Sequence, residues 1–388
     1  MTPVQSPLID KVLNTFQTLY KEEPIIVRSP GRVNIIGEHL DYNDGFVLPA
    51  AIDKAIYVGI SKRNDEVIHL HSVDYNENFT VSLNEVRPTK TWTTYILGVV
   101  DQLIKKGYKI GGFNLVLDGD VPVGAGLSSS AAVECATAFA LNELFSLGME
   151  KIEMVKMAQK AEHAFAGVMV GIMDMFASMF GKKDHVIKLD CRSLEYEYKP
   201  LKLEGYKVVL FNTNVKHSLS SSEYNTRRKQ CEQGVAWVKE HHPEVTALRD
   251  VNMDMLNKYV LTKDEIIYKR CKYVVEEIDR LLTGCNDLDR GDIKGLGQKM
   301  FRTHEGLSKE YEVSCVELDF LVESVKNNEF VLGARMMGGG FGGCTINIIK
   351  EEAIKDLQEK LSKDYTKATG LELTTYIAQI ESGTERIR

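Results

Sequence analysis

The amino-acid sequence predicts an α+β protein organised as two domains, and three observations carry that prediction. At 388 residues the chain exceeds the length over which one hydrophobic core normally keeps growing. Strand-like and helix-like stretches come in blocks rather than in strict alternation, which favours α+β over a doubly wound sheet. Around residues 198–206 (YKPLKLEGY) the pattern loosens before a fresh apolar run, KVVLFNTNV, so the boundary is placed there, dividing the chain into 1–200 and 201–388. Two domains imply a cleft between them.

The elements follow in order. Leu13, Phe16, Leu19 and Tyr20 recur at helical spacing and predict an opening helix over 9–20. IIVRSP, NIIGEH, AIYVGISKR and VIHLHSV then read as β material, and TYILGVVDQLIKKG as a helix closed by Gly107. A strand, FNLVLDG, leads through PVGAGLSSSAA into a helix, AAVECATAFALNELFSLG. KIEMVKMAQKAEHAF and GIMDMFASMFG continue as helices, and HVIKLD as a strand. In the second half DEIIYKRCKYVVEEIDRLL and IKGLGQKMFRTHEGLSKEY read as helices, followed by a glycine cluster in GARMMGGGFGGCTINIIK. There is no internal repeat and no low-complexity tract.

Composition excludes several function classes. The apolar fraction of 44% and the charged fraction of 27% are those of an ordinary globular protein. A formal net charge of −7 with no long Lys/Arg block argues against a nucleic-acid partner. No run reaches transmembrane length and the start, MTPVQSPLIDKVLNTF, lacks the pattern of a secretory leader, so a cytoplasmic protein with no membrane partner is expected. The seven cysteines are scattered without a CxxC pair, which points to reduced, packed thiols. His69/His71 and His241/His242 lack a second ligand cluster at metal-site spacing. No oligomeric state is implied, and a monomer satisfies every observation.

Three segments carry chemistry. PVGAGLSSSAA (122–132) is not a Walker A loop: the sole Gly-Lys, Gly181-Lys182, has Phe176 where the first glycine must stand. The cluster at 338–343 spells GxGxxG, but CTINIIK after it reads as a strand where a dinucleotide fingerprint must open a helix. PVGAGLSSSAA does sit between strand and helix, where glycines let backbone N–H groups approach an anion and the helix start adds positive potential. Its three serines can cap the helix or offer an oxygen to Mg²⁺, and a plain glycine turn with a serine N-cap fits as well. The stretch at 28–42, RSPGRVNIIGEHLDY, packs Arg, Glu, His and Asp among apolar residues, which suits either a polyhydroxylated ligand or an exposed charged turn. Asp174 in GIMDMF and Glu162 in KAEHAF are carboxylates among apolar neighbours, open to a cap or ion-pair role as much as to catalysis.

Taken together, RSPGRVNIIGEHLDYNDGFVLP, PVGAGLSSSAA and ARMMGGGFGG resemble the three motifs of the GHMP small-molecule kinases. The first is similar to the signature of the branch that phosphorylates galactose, and with GIMD, DCRSL and SSSEYNTRRKQC the resemblance runs over residues 28–343. It implies a two-lobed α+β fold, with an N-terminal lobe like ribosomal protein S5 domain 2 and a ferredoxin-like C-terminal lobe. It also implies transfer of the γ-phosphoryl group of ATP to the C1 hydroxyl of α-D-galactose, with Mg²⁺. On that resemblance Asp174 is the catalytic base with Arg32 beside it, and Glu38, His39, Asp41 and Tyr224 bind the sugar. Gly124, Ala125, Gly126, Leu127, Ser128, Ser129 and Ser130 would hold the triphosphate, with Ser72 a further nucleotide contact. Ser130 and Glu162 would be the Mg²⁺ ligands, and Gly338 to Gly340 would bring the second lobe's backbone close to the site.

The sequence departs from the family pattern at Leu40 and Met337, where threonine is usual, and at Met175, where glutamine is usual. Met337, beside the glycine turn, is the departure expected to alter contacts. Two other readings keep the motifs and change the outcome: a kinase for a related sugar such as N-acetylgalactosamine, and a non-catalytic sensor of sugar and ATP. The intact SSSAA segment favours catalysis.

Overall fold

The computed structural model describes residues 6–215 and 220–388; the first five residues, part of the segment on which the leader reading rests, lie outside them. Helix α1 (Pro7–Tyr20) opens where Ser6 accepts from the Leu8 N–H and Pro7 supplies a first-turn residue that needs no donor. Strands β1 (Ile25–Asn34), β2 (Phe46–Val47), β3 (Pro49–Lys62), β4 (Val67–Ser72) and β5 (Glu77–Ser82) follow, then α2 (Thr93–Lys105) and β6 (Phe113–Gly119). Helices α3 (Ser129–Phe145), α4 (Lys151–Ala161) and α5 (Met173–Phe180) precede β7 (His185–Asp190) and β8 (Tyr196–Pro200).

Strand β9 (Tyr206–Asn212) leads into α6 (Ser220–Lys239), α7 (Met253–Tyr259), α8 (Glu265–Asp289), α9 (Ile293–Lys309) and α10 (Val316–Val325). The hairpin β10 (Val331–Met336) and β11 (Cys344–Lys350), then α11 (Ile354–Thr369), β12 (Thr374–Ala378) and β13 (Glu385–Arg386) complete the chain.

These strands form a six-stranded sheet in the order β13-β1-β3-β6-β4-β5, a four-stranded sheet β10-β11-β9-β12 and a small sheet β2-β7-β8. All pairings are antiparallel except β4 with β6, which the crossover through α2 makes parallel. Side-chain alternation explains why both large sheets are covered on both faces. In β3, Ile56, Val58 and Ile60 join the main core, while Ala55 and Tyr57 meet Val12 and Phe16 of α1. In β9, Val208 and Leu210 face the main core, and Val209 and Phe211 pack with Leu321, Leu357 and Leu361.

Helix α3 is buried on nearly every side, with Ala131, Ala132, Cys135, Ala136 and Ala138 packed in the core and Glu134 and Thr137 buried beside them. One expectation fails locally. NIIGEH is not strand: β1 ends at Asn34, and the chain turns through Gly37 (φ 95°) and His39 (φ 64°). Apolar Ile35 and Ile36 imitate a strand because they are core residues, but the turn aims the charged residues after them inward.

Candidate active site

Strand β1 carries a bulge between Pro30 and Arg32 where it crosses the glycine–serine loop, and the Arg32 N–H donates to the Leu127 carbonyl at 3.1 Å. A bulge re-aims a side chain, and here it points the Arg32 guanidinium at α5. Arg32 Nε donates to Asp174 Oδ1 at 2.7 Å and Nη2 to Oδ2 at 2.6 Å, a bidentate fork, while Nη1 donates to the Gly126 carbonyl. Burial works against the guanidinium charge, and Asp174, with Glu38 and Asp41, more than offsets it. Asp174 occupies the first turn of α5, and its side chain keeps 19% of its exposure, against 5% for Arg32.

The loop departs from the helix-capping expectation. Ser128 sits at the N-cap of α3 in the left-handed region (φ 56°) and makes no cap hydrogen bond; its hydroxyl donates to Asp174 Oδ2 instead. Gly124 (φ 75°) and Gly126 (φ 77°) take left-handed conformations that let the loop wrap, Gly124 facing open space and Gly126 facing the Met337 carbonyl. Ser130 Oγ donates to Glu162 Oε1 at 3.1 Å, and Glu162 opens a π-helical turn, Glu162–Ala166, at the end of α4. Behind them Glu134, one turn beyond Ser130 on α3, is fully buried, and neither carboxylate oxygen has a hydrogen-bond partner.

A cavity of about 300 Å³ gathers these groups. Arg32, Glu38, His39, Asp41, Gly124, Gly126, Leu127, Ser128, Ser129, Ser130, Asp174, Tyr224, Gly338 and Gly339 line it. An adjoining cavity of about 480 Å³ shares Ser129 and Ser130 and is lined by Ser72, Tyr75, Trp92 and Tyr95. Of the residues expected from sequence, Ala125 is turned into the core, Ser72 lines only the second cavity, and Glu162 lies behind Ser130. Leu40, Met175 and Met337 are all buried and none lines either cavity, so the apolar departures lie in the core rather than on the cavity surface.

The structure adds residues that sequence reading did not single out. Fully buried Arg335 of β10 reaches across to the first half: Nε donates to the Ile35 carbonyl at 2.8 Å and Nη1 to Glu38 Oε1 at 3.1 Å. The Gly338 N–H donates to the same Glu38 oxygen at 2.8 Å. A lone arginine in an apolar strand was the available signal for Arg335. Tyr42 and Tyr311, whose hydroxyls stand 2.7 Å apart beside His39, offered no such signal because 269 residues separate them.

Electrostatics divide the carboxyls. Burial, then Asp174 and Glu38, pushes Asp41 up to about 7. Burial and Asp174 likewise push Glu162 up to about 7, with Ser130 opposing. Glu134 is raised well above the ordinary range by burial and by Glu162. His39 is lowered to about 3 by burial and by Arg227, so its ring is neutral.

Such an arrangement can bind a hydroxylated molecule on one side, a phosphate chain on the other, and move a proton at Asp174 between them. Its donor set also fits a hard cation: hydroxyl and carboxylate oxygens converge where burial leaves acidic groups short of positive charge. Among the described residues no group of three or more His, Cys, Asp and Glu has metal-holding geometry, and a cation bound largely through substrate phosphates needs none. No helix among them is long and apolar enough to cross a membrane.

Known proteins match along the chain. Residues 14–62 match the galactokinase galactose-binding signature, 94–182 the GHMP kinases N terminal domain, and 286–367 the GHMP kinases C terminal profile. A galactokinase of Thermotoga maritima is 44% identical over 361 residues, covering 93% of this chain and 99% of that protein. One of Fusobacterium nucleatum is 39% identical over 391 residues, covering 98% and 100%. The crystal structure of Lactococcus lactis galactokinase complexed with galactose superposes with a TM-score of 0.94 at 32% identity, covering 98% of this chain and all of that one. The Methanococcus jannaschii mevalonate kinase, at 20% identity and a TM-score of 0.65 over 93% of this chain, shares the fold. With that coverage at that identity, the chain belongs to the galactokinases, ATP-dependent sugar kinases of the GHMP family.

Proposed function

We propose that the chain transfers the γ-phosphoryl group of ATP to the C1 hydroxyl of α-D-galactose, giving galactose 1-phosphate and ADP. The observation that carries the reading is the Arg32–Asp174 fork, set in one cavity between the glycine–serine loop and the cluster Glu38, His39 and Asp41. Asp174 orients the C1 hydroxyl and takes its proton as the new O–P bond forms and the bond from γ-phosphorus to the bridging oxygen breaks. Arg32 holds Asp174 in place and puts positive charge beside the transferring group, the electrostatic positioning on which phosphoryl transfer depends. Glu38, His39, Asp41 and Tyr224 hold the sugar, and the loop 124–130 presents backbone and hydroxyl groups to the phosphates. The second cavity, with Ser72, Trp92 and Tyr95, has the size and aromatic lining for the nucleoside.

Ser130 and Glu162 would hold Mg²⁺. When bound, the ion neutralises phosphate charge as the leaving group departs. Residues 1–200 supply the base, the loop and most sugar contacts, and 201–388 supply Tyr224 and the glycine turn, with the reaction placed in the cytoplasm.

A coupled ADP-release assay with MgATP and either galactose, N-acetylgalactosamine or no sugar tests the proposal. Galactose-dependent ADP release, abolished by Arg32→Ala, is the expected result. Faster turnover of N-acetylgalactosamine would change the substrate, and sugar binding without turnover would make the protein a sensor.

A further inference from the structure

A chain of hydroxyls crosses between the two halves of the molecule and ends on His39. His39 Nδ1 lies 2.7 Å from Tyr42 Oη, Tyr42 Oη 2.7 Å from Tyr311 Oη, and Tyr311 Oη 3.2 Å from Cys231 Sγ. Tyr311 and Cys231 are buried, and the rings of Tyr224 and Tyr311 pack on His39 at 5.3 and 4.9 Å between centroids. The His39 backbone is held as well, its φ of 64° secured by Asn43 Nδ2 donating to its carbonyl at 2.8 Å. The other ring nitrogen, Nε2, is buried without a hydrogen-bond partner in a residue that lines the cavity.

We propose that Tyr42 and Tyr311 are positioning residues for substrate selection: acting in series, their hydroxyls hold His39 as the Nε2–H tautomer, which presents a hydrogen-bond donor to an oxygen of the bound sugar. The inference rests on the galactose reading of the cavity.

The direction follows from donor and acceptor strengths. The chain has two consistent proton arrangements. In one, the Cys231 S–H donates to Tyr311, Tyr311 to Tyr42, and Tyr42 to Nδ1. In the other every bond is reversed, His39 carries its proton on Nδ1, and the terminal phenol must donate to a thiol sulfur. Thiol sulfur is a weak acceptor and imidazole nitrogen a strong one, so the first arrangement puts a phenol O–H on the better acceptor. Burial keeps the thiol neutral, with the Cys231 value pushed up to about 11, so it can act as the terminal donor. The Gly339 backbone, in the glycine turn that lines the same cavity, also interacts with the ring in the sense that favours a proton on it, and so acts with the tyrosines rather than against them. Because a neutral imidazole is a donor at one nitrogen and an acceptor at the other, the tyrosines decide which hydrogen-bonding character the sugar meets.

The first test is ¹⁵N NMR of the histidine side chains, with the His39 signal assigned by its loss in His39→Gln. The expected result is a protonated nitrogen at Nε2 and a bare one at Nδ1 in the full-length protein, and exchange between tautomers in Tyr42→Phe. A proton on Nδ1 overturns the inference. The second test is steady-state kinetics. Tyr42→Phe keeps the ring and removes one hydroxyl, and is expected to raise the KM for galactose about three- to tenfold, with kcat and the KM for ATP little changed.

Tyr311→Phe should act in the same direction and more weakly, and the double variant should be no worse than Tyr42→Phe alone, since one break already releases His39. Unchanged galactose KM, or equal rises for both substrates, would overturn the proposal. A wild-type protein with no galactose-dependent turnover would instead sink the galactose reading, while the tautomer measurement would still stand. If Tyr42→Phe does not fold, Tyr311→Phe and the wild-type spectrum decide the matter.

Discussion

The carboxyls in and behind the cavity fall into two groups that differ in where their positive charge comes from. Asp174 and Glu38 each have an arginine: Arg32 forks onto the first, and Arg335 reaches the second from the other half of the chain. Asp41, Glu162 and Glu134 have no arginine partner; Asp41 and Glu162 are pushed up to about 7, and Glu134 is raised well above the ordinary range. The protein thus supplies its own cations to the carboxylates that must be ready before substrate arrives. On the proposed function the others would be completed by sugar hydroxyls or by a cation. Unpaired buried carboxyls cost stability unless they hold a proton, so the state of Asp41 and Glu162 depends on pH and ligand.

The largest expected effect tests the first group at its reacting member. Asp174→Asn keeps the shape and removes the carboxylate proposed as the base, and kcat should fall by about 10²- to 10⁴-fold, with galactose binding by calorimetry close to that of the wild type. Near-wild-type turnover would show that Asp174 is not the base.

Arg335→Met breaks the buried pair with Glu38, both side chains being almost wholly inaccessible, and leaves an uncompensated carboxylate. A loss of about 3–5 kcal/mol in denaturant-unfolding stability is expected, together with weakened galactose binding. A variant as stable as the wild type would mean that Arg335 is not what holds Glu38.

Gly171→Ala probes the second group by geometry. A Cβ there would collide with Asp41 Oδ2, so the carboxylate must move, and galactose KM should rise by about tenfold or more with ATP KM unaffected. An unchanged galactose KM would remove Asp41 from the sugar contacts.

The smallest effect is a pH dependence. Asp41 has an ordinary value of 3.8 and is lifted to about 7, so the ligand-free native state holds a proton that the unfolded chain releases between those values. Its contribution to stability is therefore present at acid pH and lost as pH rises through about 7. Galactose hydroxyls need the ionised carboxylate as acceptor, so binding should release a proton at pH 6 and almost none at pH 8. Affinity should strengthen by at most about tenfold per pH unit below 7. Calorimetry in buffers of different ionisation heat measures that proton directly, and uptake in place of release would reverse the assignment.

Much of this was legible in the chain. PVGAGLSSSAA has the expected strand–loop–helix setting, and it lines one cavity together with Arg32, Glu38, His39 and Asp41 of RSPGRVNIIGEHLD and the acidic residue in GIMD. Local spacing carries such information because loop glycines, helix starts and charged turns are written in a few neighbouring residues. The misreadings were local patterns overruled by tertiary contacts. NIIGEH looks like a strand because Ile35 and Ile36 are core residues, yet it turns at Gly37 and His39 to aim Glu38 inward. Ser128 looks like a helix cap, yet its hydroxyl serves Asp174 on another helix.

The sequence by itself determined the α+β class, the order of the main elements and the identity of the charged residues at the cavity. Only the tertiary structure decided their partners: Arg335 with Glu38 across 297 positions, Tyr311 with Tyr42 across 269, and Ser128 with Asp174 across 46. The reason is physical. A residue's tendency to form helix, strand or turn is set by its neighbours in the chain, whereas the partner that satisfies a buried charge or hydroxyl is set by whichever segment the packed core brings within about 3 Å of it.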